Sequence, residues 1–70
     1  MDRELFQVER TEGAWMVIGV IPDSDLYPTE LQAAKKAAQL AYRYFLLTGA
    51  PTGVKLRMRC GDVVLTAQNG

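Results

Sequence analysis

One stretch of this chain has a single reasonable conformation, and it organises everything on either side. From Glu30 to Leu47 the sequence is rich in Ala, Leu, Lys and Gln, all strong helix formers, and holds no Gly or Pro. Thr29 stands before it as an N-cap, and Thr29-x-x-Gln32 has the spacing of a capping box. Gly49 provides a left-handed stop, and Pro51 bars any continuation. The spacing predicts one helix, with something other than helix before and after it.

What precedes it alternates. In Leu5 to Arg10, Phe6 and Val8 share one face while Gln7 and Glu9 share the other, the pattern of a half-buried strand. Thr11-Glu12-Gly13 supplies turn residues, and Ala14 to Ile21 forms a second strand. A two-residue Glu12-Gly13 turn sets Glu9 opposite Met16 and Val8 opposite Val17. The core face then holds Phe6, Val8, Trp15, Val17 and Ile21, leaving Met16, Ile18 and Val20 on the far face. Pro22 ends the strand, and the residues from Pro22 to Pro28 form a loop.

After the helix, Val54 to Cys60 alternates without a fault. Val54, Leu56, Met58 and Cys60 point one way, and Lys55, Arg57 and Arg59 the other. Gly61-Asp62 is a two-residue hairpin signal, and Val63 to Ala67 is the last strand. Pairing Cys60 with Val63 puts Val63, Leu65 and Ala67 on the core side. The expected architecture is α+β, β-β-α-β-β, one helix packed on a four-stranded sheet in a single domain over residues 1–70. Strand three is expected parallel to strand two, joined by a right-handed helical crossover. Trp15 and Phe45 are expected to be buried between helix and sheet.

Composition narrows the function. With 49% hydrophobic and 23% charged residues, the chain belongs with folded domains. No apolar run reaches the length of a membrane span, and no secretory leader is visible, so a soluble cytoplasmic protein is expected. Net charge is zero, which gives no overall pull toward nucleic acid. The charges are nonetheless divided. Residues 1–30 hold seven acids against Arg3 and Arg10, a balance of −5; residues 31–70 hold six bases against Asp62, a balance of +5.

There is no histidine, which removes Ser-His and Cys-His catalysis together with histidine metal sites. Cys60 is the only cysteine, on the apolar side of its strand with no base offered to it, and reads as a structural thiol in a reducing compartment. Asp23-Ser24-Asp25 with Glu30 offers oxygen ligands, but it lacks the spacing and distal Glu of a calcium loop; acids before a helix also complement its dipole. Gly49-Ala50-Pro51-Thr52-Gly53 precedes a strand where a phosphate loop would open a helix. No catalytic residue, metal or cofactor is expected.

Two features suggest association. Lys55, Arg57 and Arg59 form a basic row with the repeat of a strand, able to contact phosphates. Solvated strands carry such rows routinely, and no aromatic falls on that face for base stacking. The helix carries two apolar stripes where a surface helix needs one. Leu31, Ala34, Ala38, Ala41 and Phe45 are expected to face the core. Ala33, Ala37, Leu40, Tyr44 and Leu47 are then left as an interface, with Met16, Ile18 and Val20 as a second apolar patch.

Gly13-x-Trp15-x-Val17, Thr29 opening a helix with Ala33-Ala34 and Ala37-Ala38, and Gly61-Asp62 before Val63-Val64-Leu65 together resemble small bacterial hairpin-helix-hairpin domains of unknown function. The resemblance spans most of the chain and implies no activity, ligand or catalytic residue. The expectation is therefore a non-enzymatic domain that acts as a homodimer or binds another protein. The alternative is a nucleic-acid-binding accessory protein using Lys55, Arg57 and Arg59.

Overall fold

The computed structural model describes residues 3–21, 23–57 and 63–70. Strands β1 (Glu4–Thr11) and β2 (Ala14–Ile18) are followed by helix α1 (Glu30–Thr48), then β3 (Thr52–Arg57) and β4 (Val63–Asn69). The helix packs on one face of a mixed four-stranded sheet of order β2-β1-β3-β4.

The first hairpin follows from its alternation and its turn. Thr11 pairs with Ala14, leaving Glu12-Gly13 as the loop, and Gly13 takes the left-handed φ of 69° that a side chain would strain. That turn fixes the register downstream: Val8 opposite Val17 and Glu9 opposite Met16, as the alternation requires. The helix is capped at both ends. Thr29 Oγ1 accepts from the Gln32 N–H at 3.2 Å, and Gly49, at φ 73°, donates its N–H to the Phe45 carbonyl at 2.8 Å.

The direction of the second half differs from expectation, and the cause lies in the loop. Strand β2 ends at Ile18 instead of Ile21, and the chain bends at Gly19. Tyr27 then pairs antiparallel with Trp15, exchanging two backbone hydrogen bonds of 2.8 Å. Trp15 stands near the start of β2, so the chain has doubled back along that strand's outer edge before the helix begins. The helix returns the chain, and β3 sets out parallel to β1, with Phe6 beside Val54 and Val8 beside Leu56. Strand β3 is thus opposed to β2, not parallel to it, and the rule for parallel crossovers does not govern that pair.

The last strand also sits in another register. Val63 pairs with Arg57, not with Cys60, so the connection spans 58–62. Met58, Arg59, Cys60 and the Gly61-Asp62 turn lie outside the described residues. A bulge falls between the Val54–Ala67 and Lys55–Leu65 pairs. Thr66 is the extra residue, and it turns the alternation over. Ala67 therefore packs toward the core as expected, whereas Leu65 stands beside Lys55 on the opposite face.

The buried core is Phe6, Val8, Val17 and Val54 from the sheet with Ala33, Ala37, Leu40 and Ala41 from the helix. Ala41 is buried as expected and Ala34 and Ala38 pack beside it, but Ala33, Ala37 and Leu40, expected to face outward, are buried with them. Leu31, assigned to the core, is 66% exposed, and Phe45 is only half-buried. Phe6 brings a large ring to the middle of the sheet, and most of the helical residues buried in the same core are alanines. Tyr44 flanks the contact, its ring 6.5 Å from that of Phe6 and edge-on at 66°. Trp15 is half-buried at the sheet margin, with the Arg10 guanidinium 5.9 Å from its ring centre.

Among the described residues one polar side chain, that of Thr52, is buried in this core. Thr52 Oγ1 donates to the Ala41 carbonyl at 2.9 Å and accepts from Asn69 Nδ2 at 3.1 Å, joining helix, β3 and β4. Beside it, the Arg3 guanidinium donates to the carbonyls of Thr52 at 2.7 Å and Asn69 at 3.1 Å, holding the ends of three strands together.

Two substitutions test this packing. A Cβ on Gly19 would stand 2.7 Å from Phe6 Cε2, and Phe6 is fully enclosed with nowhere to move. Gly19→Ala is expected to cost about 1–3 kcal/mol of unfolding free energy in urea, the range for an overpacked core. Thr52→Val keeps the shape and strands the Asn69 amide; a loss of about 1–3 kcal/mol is expected on the same measurement. Wild-type stability in either variant would show that these contacts do not hold the fold.

Candidate functional site

The interface proposed from the helix pattern is the core itself. Ala33, Ala37 and Leu40 are buried against the sheet and Tyr44 is packed against Phe6. Of that stripe only Leu47 is outside, 76% exposed where the helix runs toward its end. A stripe that meets the sheet within its own chain is not available to a second one. The outer helix surface instead carries Leu31, Tyr42, Leu46 and Leu47, separated by Lys35 and Gln39.

The second apolar patch does lie on the surface. Met16 is half-buried, Ile18 is 45% exposed, and Val20 is exposed in the bend after β2. These residues are part of a larger area, because no described residue forms a layer over the sheet face opposite the helix. Leu5 of β1 and Leu65 of β4 stand there too, either side of Gly53. A Cβ at Gly53 would meet Leu65 Cδ1 at 3.0 Å and Leu5 Cδ2 at 3.1 Å, so the two leucines already fill that space. Sequence reasoning missed this pair because it depends on the β4 bulge. Gly53 inside a strand was the one available signal, since glycine there marks close approach of neighbours.

The basic row shares this face. Lys55 stands between Gln7 and Leu65, and Arg57 is exposed at the end of β3 beside Val63. The β1–β3 register, carried one residue further, sets Glu9 beside Arg57, and the Gln7 side-chain amide donates to Glu9. Arg59 lies outside the described residues. Among the described residues of this face none is aromatic, so stacking of bases has no platform there.

The acidic loop has a local task. Tyr27 Oη donates to Asp23 Oδ2 at 2.6 Å, and the Asp25 N–H donates to Asp23 Oδ1 at 3.1 Å. Both carboxylate oxygens of Asp23 are thereby occupied within the segment that borders β2. Partial desolvation, then the bond to Asp23, pushes the Tyr27 hydroxyl up to about 12. The same bond is the main cause holding the Asp23 carboxyl below its ordinary value, assisted by the Asp25 N–H and Lys36. Among the described residues no three Asp, Glu or Cys side chains converge as metal ligands. No described helix is long and apolar enough to cross a membrane.

The two sheet edges are unlike. Strand β2 is bordered by the Tyr27 segment, whereas among the described residues β4 has a neighbour on one side only. Val64 and Leu65 are 45% and 41% exposed at that open edge. Comparison with known protein families, characterised proteins and solved structures found no match to this chain.

The Tyr27–Asp23 bond sets two pH limits. Asp23, lowered in the folded chain, contributes stability above its ordinary 3.8 that is lost as pH falls through its folded value. Tyr27, raised, contributes stability present below 10.0 and lost as pH rises toward about 12. The difference between phenolate absorbance titrations of wild type and Tyr27→Phe should show a midpoint near 12. A midpoint at the ordinary tyrosine value would mean that the bond does not persist in solution.

Proposed function

We propose that this chain is a small non-enzymatic association domain that acts as a homodimer. The observation that carries this reading is a sheet that the described residues cover on one face only, with Leu5, Ile18 and Leu65 exposed on the other and Val64 exposed at an edge. Single exposed apolar residues are ordinary on any protein surface. Here they extend across a bare sheet while the buried core includes three alanines and few large side chains. A core of that size supplies little transfer free energy, and small chains recover the deficit by associating. Identical chains most often do so as closed two-fold dimers.

No described cluster competes with this reading. The interacting pair Asp23–Tyr27 is spent on the loop, and Lys55 stands beside Gln7 on a face where no described residue is aromatic. Sedimentation velocity from micromolar to millimolar protein is expected to move from the mass of one chain to that of two. The urea midpoint should rise over the same range, because association stabilises by mass action. A single-chain mass throughout, with a midpoint independent of concentration, would overturn the homodimer.

A further inference from the structure

We infer that β4 is the association edge, and that it pairs antiparallel with β4 of a second copy across a two-fold axis centred on Val64. The inference rests on the proposed self-association and names its surface.

An edge strand presents a row of backbone N–H and C=O groups with no partner, and its chemical complement is another extended strand. Natural edges are usually blunted by charge, by proline, by a covering segment or by a bulge. The Tyr27 segment supplies the covering on β2. Strand β4, Val63–Asn69, has neither charge nor proline, and among the described residues no segment runs along its outer side. Its one irregularity is the bulge at Thr66, which leaves Val63, Val64 and Leu65 as the regular stretch ahead of it.

That stretch fits a copy of itself. Antiparallel strands related by a two-fold axis exchange the same groups in both directions. Centred on Val64, the axis places Val64 opposite its counterpart, and Leu65 opposite position 63 of the second copy. Every cross-strand pair is then apolar, with no like charges opposed. The basic residues stay clear of the seam. Lys55 and Arg57 lie one strand in from the edge, so the two β3 strands would be three strand spacings apart, about 14 Å. Beyond a Debye length their repulsion is largely screened.

The test traps the pairing. Directly opposed residues on antiparallel strands have Cα atoms about 4.5–5.5 Å apart, within the span of a disulfide. In a Cys60→Ser background, Val64→Cys is expected to form a covalent dimer under mild oxidation, and Ile18→Cys on the other edge is not. Val64→Lys should give a single-chain mass at concentrations where wild type is dimeric, with unchanged far-UV circular dichroism. Equal cross-linking at Ile18→Cys would overturn the inference. So would a Val64→Lys protein that remains dimeric while Val64→Cys fails to cross-link, an outcome that leaves self-association standing on another surface. A wild type monomeric at millimolar concentration removes both.

Discussion

Phe6 heads the largest side chains fully enclosed between helix and sheet. Its ring is fully enclosed in the centre of β1, under the helix and beside Gly19, so each element around it adjusts to its bulk. Ala33, Ala37 and Ala41 give the helix a flat face, and Val8, Val17 and Val54 fill the remaining floor. Gly19 has to lack a side chain because the ring occupies the space, and the chain turns away from the sheet at that point. Close packing of this kind leaves no slack for an added methyl group.

The turn at Gly19 has a second consequence, for topology. A chain leaving β2 directly into a helix would bring β3 in alongside it, parallel to β2. Here the segment to Tyr27 retraces β2 first, fastened by its backbone bonds to Trp15 and by the Tyr27–Asp23 side-chain bond. The helix therefore starts from the opposite end of the sheet, and β3 enters beside β1. One return segment thus decides the strand order and also which edge is left bare.

Local chemistry was legible in the residues; choices between equal alternatives were not. The first hairpin register could be read because Glu12-Gly13 is short enough to fix it and Phe6 and Val8 alternate cleanly with polar neighbours. The helix ends could be read from Thr29 and Gly49. The helix face could not, because both stripes are apolar, and the choice depends on packing against strands distant in sequence. The β4 register was equally open. Val63-Val64-Leu65 is apolar at consecutive positions, so alternation does not tell one face from the other, and the bulge at Thr66 reverses it midway. The candidate surface inherited both ambiguities, which is why the stripe chosen for it lies in the core and Leu65 was placed on the wrong face.

The division of charge acquires a different meaning once the strand order is known. Acidic and basic halves of a sequence invite the idea that two chains meet through opposite charges. The sheet order β2-β1-β3-β4 instead sets β1, with Glu4 and Glu9, directly beside β3, with Lys55 and Arg57. The charged strands of the two halves are thus neighbours within one chain, as its central parallel pair. Both outer strands, Ala14–Ile18 and Val63–Asn69, are left without a charged residue. Sheets ordinarily place charge at their edges and apolar residues at their centre. This one does the reverse, and only one of its two neutral edges has a covering segment. Charge confined to the middle of the sheet does not oppose contact at its margin. Any pairing at β4 would depend on backbone hydrogen bonds and apolar side chains, and would be little affected by salt.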